Sequence, residues 1–453
     1  DKYIGDAILI FFGDPSSKGN KEDAINCVSM SLEMLEKILR SIEKITPKKL
    51  YQFGQPFYHY TLSFLAAIIY RFPSKKIIVV AVTGTKGKTS TIEILNTFLE
   101  EKGYKTALGS TLRFKIGSES RRNMYKMTTP GRFAMQRFLR RAVNEKCQYA
   151  ILEITSEAVI QFRHKFISYD ALIFTNLSPE HIDRQGSYEK YVEAKLKIGK
   201  ALEKSSKKRK ILVVNKDEKE SVKFLNLNIA EKYQFGLTEL EPYEIKREGL
   251  EFTFDGEKII SYLSGEFNLY NISCAINFAR TQNVGIGTIK NALEKFKGIK
   301  GRVEFVEEGQ DFKVVVDYAH TPDSLEKLYD VFQTSKKICV LGNTGGGRDK
   351  WKRKDMAKIA ERHCSHIILT DEDPYNEDPK RIVEDMAVHI ERPIFEVVMD
   401  RREAIREAYN HAKTGDVVLI TGKGTDPYIM GPNGTKQPWS DADVAREELK
   451  KRK

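Results

Sequence analysis

Apolar residues run in short unbroken blocks along most of this chain. Each block is followed by a polar or glycine-rich stretch and then by apolar residues at helical spacing. The clearest block is residues 77–82, IIVVAV. A run of this length, rich in Val and Ile and without polar alternation, predicts a strand buried on both faces. YAILEI (149–154), ALIFTNL (171–177) and KILVVN (210–215) repeat the pattern, with helices predicted over 91–102 and 188–204. This alternation predicts a mostly parallel sheet with helices on both faces. Residues 230–262 interrupt it and predict short antiparallel strands, and helices are predicted over 268–280 and 286–297.

The glycines at 298 and 301 mark a boundary. Beyond it a second alternating block carries strands FKVVVDY (312–318), KICVLGN (337–343), HIILTDE (366–372) and DVVLITGKG (416–424). Each ends in a polar or glycine-rich loop, where open α/β sheets collect ligands. The expected fold class is therefore α/β: a central domain with a mostly parallel sheet over 77–298 and a C-terminal Rossmann-like domain over 299–453, facing each other across a cleft. Residues 1–40 read as a separate piece, with DKYIGDAILIFFGDP predicting strands and EDAINCVSMSLEMLEKI a helix. Residues 41–76 predict a linker through Pro47, Gly54 and Pro56, then a helix over the apolar stretch 58–70. That stretch is too short to cross a bilayer and contains His59.

Composition narrows the picture only slightly. The 453 residues carry a net charge of +12, and the Lys and Arg are scattered with no aromatic-plus-basic pattern, so a nucleic-acid partner is not expected. The five cysteines are far apart and odd in number, which predicts reduced, mostly buried thiols in a cytoplasmic protein. No signal peptide is read. The chain begins with Asp1, as a fragment or processed form would.

The candidate chemistry starts where the first strand ends, in Gly84-Thr85-Lys86-Gly87-Lys88-Thr89-Ser90. A strand, a glycine loop and a helix N-terminus in this order cradle phosphates. Lys88 then reaches the outer phosphates, and the Thr89 hydroxyl suits Mg²⁺. The spacing is shorter than GxxxxGK[ST], because Val82 stands where the first glycine would be. Further polar groups follow: Thr128-Thr129-Pro130; Glu153-Ile154-Thr155; TNLSPEHID (175–183); Lys195; Asn268 and Asn271 in GEFNLYN; GRVE (301–304); DYAHTPDSLE (317–326); GNTGGGRDKWKR (342–353); and GKGTD (422–426). Taken singly each has a plainer reading: His181 as a loop histidine, Glu153 as a helix cap, Lys195 as a solvated lysine. The set and its order carry the weight.

In that order, over about residues 77–446, the chain resembles the Mur ligases, and among them the branch that adds the third residue of the peptidoglycan stem peptide. The resemblance implies a cytoplasmic, ATP- and Mg²⁺-dependent amide ligase, in which a UDP-muramyl-peptide carboxylate is activated as an acyl phosphate and captured by an amino acid. It implies catalytic roles for Lys88, Lys195 and His320, and ATP contacts from residues 84–90, Asn268, Asn271, Arg302 and Asp317. It further implies metal contacts from Thr89, Glu153, His181 and a carbamylated Lys195. Thr128, Thr129, Thr155, Gln161, Arg163, Arg348, Asp373, Gly422 and Asp426 would meet the muramyl-peptide or the incoming amino acid. Two other readings share the scaffold: a folylpolyglutamate- or cyanophycin-synthetase-like ligase, and a nucleotide-dependent regulatory protein without ligase activity.

Three departures qualify the resemblance. No UDP-binding N-terminal domain is recognisable; residues 1–38 instead resemble a fragment of a class III adenylate/guanylate cyclase domain, with Asp6 at a metal-ligand position, and no cyclase activity is expected. The Asp-Asn-Pro-Arg of diaminopimelate-adding members reads Glu372-Asp373-Pro374-Tyr375, and tyrosine cannot pair bidentately with a distal carboxylate. GKGHE reads Gly422-Lys423-Gly424-Thr425-Asp426. The extra carboxylates suit a cationic amino acid such as lysine.

Overall fold

The computed structural model describes residues 48–125, 127–178, 187–246, 249–347 and 349–452. The expectations for residues 1–40, His181 and Arg348 lie outside these residues. The first described element is helix α1 (Lys48–Ile69), which carries Pro56 inside it. It begins well before the apolar stretch, so much of the predicted linker is helical.

Eight strands build the larger sheet: β1 (Ile78–Thr83), β2 (Thr106–Gly109), β3 (Arg113–Ile116), β4 (Glu119–Arg122), β5 (Tyr149–Glu153), β6 (Ala171–Phe174), β7 (Ile211–Asn215) and β8 (Glu231–Phe235), in the order β4-β3-β2-β5-β1-β6-β7-β8. All pairings from β2 through β8 in that order are parallel, and β3 and β4 are antiparallel at one edge. Residues 231–235 thus correct the expectation of an antiparallel strand. They lie against β7 as a parallel edge, and the antiparallel piece is the separate three-stranded sheet β9 (Tyr243–Lys246), β10 (Gly249–Phe254) and β11 (Glu257–Ser261).

The unbroken apolar runs feed two cores. Val80 and Val82 of β1 pack with Ile92, Leu95, Phe98 and Leu99 of α2 (Lys88–Glu101) on one face. Val79 and Ala81 pack on the other with Phe138 and Leu139 of α3 (Arg132–Asn144) and Tyr191 and Ile198 of α4 (Tyr188–Glu203). Leu269 and Ile272 of α5 (Glu266–Thr281) complete the first face. The first half of α2, KTSTIEI, is rich in β-branched residues and poor in helix propensity. Burial holds it, at ~1.5–3 kcal/mol for each fully buried large apolar side chain.

The second sheet has the order β12 (Glu304–Phe305), β13 (Lys313–Val316), β17 (Val417–Ile420), β14 (Lys337–Leu341), β15 (His366–Leu369) and β16 (Phe395–Val397). It is parallel apart from β12. β16 escaped sequence reading because it is three residues long and only half buried. Helices α6 (Pro322–Val331), α7 (Lys352–His363) and α8 (Arg401–His411) cover its faces.

The expectation of reduced thiols needs a correction. Cys147 and Cys274 are free and buried, but Cys339 and Cys364 form a disulfide. β14 and the C-cap of α7 bring their Cα atoms to 6.3 Å, although 25 residues separate them in sequence. No described helix is long and apolar enough to cross a membrane.

Candidate active site

Parallel register assembles the first half of the site. Val82 of β1 pairs with Glu153 of β5, and Thr83 pairs with Phe174 of β6. The glycine loop after β1, the carboxylate closing β5 and the Thr175-Asn176 turn after β6 therefore emerge side by side. Gly87 caps α2 in the left-handed region, at φ 78°, with no side-chain cap and no acidic residue in the first turn. The helix N-terminus keeps its amide donors and its positive dipole end for an anion.

The glycines are dictated by space as well as by backbone angle. At Gly84, φ is 151° and a Cβ would stand 1.9 Å from Thr175 Oγ1; at Gly87 it would stand 2.3 Å from Asn271 Oδ1. Gly84→Ala is expected to displace Thr175 and the loop, with nucleotide binding falling ~10-fold or more. An ADP titration checks this, and wild-type affinity in the variant would refute the packing argument.

The side chains converge as follows. Lys88 Nζ donates to the carbonyls of Gly84 (3.0 Å) and Thr85 (2.8 Å), folding back over the loop. Lys195 Nζ donates to the same Gly84 carbonyl at 2.6 Å, with the side chain 2% exposed. Ser187 caps α4 through Lys190 N, and the buried face of the helix carries both Tyr191 and Lys195. The Tyr191 ring lies 4.7 Å from Lys195 Nζ, and its hydroxyl meets Thr85 Oγ1 at 3.1 Å. Glu153 Oε2 accepts from Thr89 Oγ1 (2.9 Å), Thr111 N (2.8 Å) and Thr111 Oγ1 (3.1 Å). Asn176 accepts from Lys86 N at 2.8 Å and so fixes the loop from β6.

On the α5 side, Asn268 and Asn271 are buried and joined by a 2.9 Å hydrogen bond. Asn271 also accepts from Thr91 Oγ1 at 3.4 Å, so this pair abuts the start of α2. The residues expected to meet the muramyl-peptide form a chain. Thr111 Oγ1 meets Thr128 Oγ1 at 2.8 Å, Thr129 Oγ1 donates to Glu153 O at 2.8 Å, and Arg163 donates to Thr129 O at 2.7 Å and to Gln161 Oε1. Thr155 caps the short helix Ser156–Ile160 through Ala158 N.

The second sheet closes the cleft. The loop after β13 carries Tyr318 and His320, their rings edge-on at 4.7 Å, and Arg302, just before β12, lies over the Tyr318 ring at 4.3 Å. His320 Nδ1 lies 2.7 Å from Tyr318 O. Asp317 accepts from Val303 N and Ala319 N, both at 2.7 Å, and burial pushes its carboxyl above the usual range. One cavity of about 800 Å³ is lined by the whole glycine loop, Glu153, Lys195, Thr128, Thr155, Gln161, Arg163, Asn268, Asn271, Arg302, Asp317 and His320.

Asp373, Gly422 and Asp426 do not line that cavity. Asp373 accepts from the buried Lys423 Nζ at 2.8 Å and from Met430 N at 2.7 Å, and Asp426 lies 3.3 Å from the same Nζ. Both carboxylates already hold a cation from their own domain. The neighbouring Glu372 is buried, accepts from Thr344 Oγ1 at 2.7 Å, and has no hydrogen-bond partner for Oε2 among the described residues. Arg122 of β4 reaches across to the carbonyls of Thr425 and Asp426, both at 3.0 Å, tying the two sheets together at this point.

Sequence reading missed Thr111 and Tyr191. Thr111 belongs to no motif, and its role appears only when β2 pairs with β5. Tyr191 was findable, because it stands one helical turn before Lys195 on the same face.

Comparison with known proteins gives the family and the fold. The Mur ligase middle domain matches residues 82–279, and the Mur ligase, glutamate ligase domain matches residues 301–424. The chain is 35% identical over 407 residues to the UDP-N-acetylmuramoyl-L-alanyl-D-glutamate--2,6-diaminopimelate ligase of Syntrophomonas wolfei, spanning 86% of this chain and 81% of that protein. It is 34% identical over 412 residues to the UDP-N-acetylmuramyl-tripeptide synthetase of Roseiflexus sp., spanning 85% and 81%. A solved UDP-N-acetylmuramoyl-L-alanyl-D-glutamate--2,6-diaminopimelate ligase superposes with a TM-score of 0.58 at 25% identity, over 83% of this chain and 79% of that one. The Mycobacterium tuberculosis folylpolyglutamate synthase shares the fold, with a TM-score of 0.66 at 12% identity over 81% and 92%. With the glycine loop, the two lysines and the second sheet all in place around one cleft, the chain belongs to the Mur ligase family of ATP-dependent amide ligases.

Proposed function

We propose that this protein adds an amino acid to a UDP-N-acetylmuramyl-peptide in peptidoglycan precursor synthesis, through an acyl phosphate. The observation that carries this reading is the meeting of Lys88, Lys195 and the Thr89–Glu153 pair around the Gly84–Gly87 loop. A reaction between a carboxylate and a triphosphate must overcome repulsion between two anions, and positioned cations and dipoles lower that barrier.

The steps balance as follows. A carboxylate oxygen of the peptide attacks the γ-phosphorus of ATP, the bond to the β-phosphate oxygen breaks, and ADP leaves. The amino group of the incoming amino acid then attacks the acyl carbon, phosphate leaves, and the amine loses a proton. Lys88, now turned onto the loop carbonyls, holds the outer phosphates. The α2 N-terminus stabilises charge on the transferring group. The chain Thr128–Thr129–Gln161–Arg163 orients the muramyl-peptide, and Arg302, Asp317 and His320 close over the nucleotide.

A hard cation fits the donor set at Thr89 and Glu153, a hydroxyl and a carboxylate oxygen in hydrogen-bond contact. Mg²⁺ bound there supplies charge neutralisation between the two anions. His181 is a further ligand by resemblance. A carbamate on Lys195, formed from its neutral amine and carbon dioxide with loss of one proton, would add an anionic oxygen ligand to this group. Carboxylate-¹⁸O-labelled UDP-muramyl-dipeptide tests the acyl phosphate: one label should appear in the released phosphate, and unlabelled phosphate would exclude this route.

The amino acid follows from the second sheet. Tyr375 takes the place of the arginine that would pair with a distal carboxylate, and a tyrosine side chain offers no cation to a second carboxylate. Lysine is the amino acid this arrangement favours. Tyr375→Arg is expected to raise kcat/KM for diaminopimelate ~10-fold or more by supplying a bidentate partner. Amino-acid-dependent phosphate release measures it, and no gain would refute the assignment of Tyr375 to specificity.

A further inference from the structure

The ATP cleft lies at the C-terminal ends of the second sheet's strands. The opposite end carries a different cluster. Among the described residues, His366, Glu396 and His411 bring three candidate ligand atoms within 4.8 Å of one another. His366 opens β15, Glu396 stands in the middle of the edge strand β16, and His411 closes α8. Glu396 Oε1 lies 3.0 Å from Nε2 of both imidazoles. The two rings stack with centroids 3.8 Å apart at 30°. Glu407, one turn before His411 on α8, places Oε1 3.6 Å from His411 Nε2. The side chains are 23–38% exposed, so an ion has a path in.

We propose that His366 Nε2, His411 Nε2 and Glu396 Oε1 bind a divalent transition-metal ion of the zinc type, with Glu407 or water in the fourth position. Two imidazole nitrogens and one carboxylate favour zinc over the hard cations of the catalytic cleft. A tetrahedral ion with bonds of ~2.0–2.1 Å sets its donors ~3.3 Å apart, close to the 3.0 Å from Glu396 Oε1 to each Nε2, and the two stacked rings must swing apart to aim both nitrogens at one ion. In the ion-bound form each Nε2 is a ligand, so each imidazole carries its proton on Nδ1. The ion would tie the short edge strand β16 and the end of α8 to β15, a structural role remote from catalysis.

The test is a zinc titration of the chelator-stripped full chain, without nucleotide, paired with the visible spectrum of the cobalt form. One zinc equivalent and tetrahedral cobalt bands are expected. His411→Gln and Glu396→Gln should each weaken zinc binding by more than ~10-fold and abolish the bands. Ligase turnover should be unchanged in both variants, which also shows that they fold. Absence of saturable binding, or binding and cobalt bands that persist in the variants, would overturn the proposal.

Discussion

Lys88→Ala is expected to lower ligase turnover by ~1,000-fold or more, the loss of a positioned cation at a transferring phosphoryl group. In the structure its ammonium rests on two loop carbonyls, at 3.0 and 2.8 Å, and so waits at the mouth of the phosphate cradle. Because that amine also ties the loop to itself, the variant needs a control for folding. Thermal unfolding should change little, since Lys88 is only part-buried and opens α2, one turn before its first core residue Ile92. ADP affinity should fall less than turnover, because the lysine acts on the outermost phosphate. Turnover close to wild type would remove the phosphate role.

The second large effect concerns Lys195. Lys195→Arg preserves the charge but cannot form the carbamate. If the carbamate holds a metal, Lys195→Arg and Lys195→Ala should both lose ~100-fold or more in kcat, and the wild-type protein labelled with ¹³C carbon dioxide should show a carbamate resonance missing from both variants. Arginine is also larger than lysine, and the site is 2% exposed, so overpacking alone could reduce activity. The labelled resonance separates the two causes. Near-wild-type activity in Lys195→Arg, or no resonance in the wild type, would contradict a carbamate.

The convergence of many candidate residues was legible in the sequence because they sit at strand ends. Residues 77–82 are apolar without interruption, which marks a doubly buried strand and points to the loop after it. Lys195 stood out by its place after the TNL segment rather than by helix pattern, and the structure buries it on the face of α4 that also carries Val192 and Ile198. What stayed hidden depends on pairing between distant segments. Thr111 reaches Glu153 only because β2 pairs with β5. The Cys339–Cys364 disulfide joins a strand to a helix end, and no local spacing announces it. Asp373 and Asp426 read as free carboxylates for an incoming cation, yet Lys423, three residues before Asp426, lies between them. A charge pattern in one dimension does not say which partner is internal.

The central claim is that one cleft brings ATP, a muramyl-peptide carboxylate and an amino group together for reaction. The most direct measurement is ADP and phosphate formation by the purified protein with ATP, Mg²⁺, UDP-muramyl-dipeptide and single amino acids. Strict dependence on both the dipeptide and one amino acid, with formation of the UDP-muramyl-tripeptide, is the expected result. ATP hydrolysis indifferent to the muramyl-peptide, or no turnover with any amino acid, would contradict it.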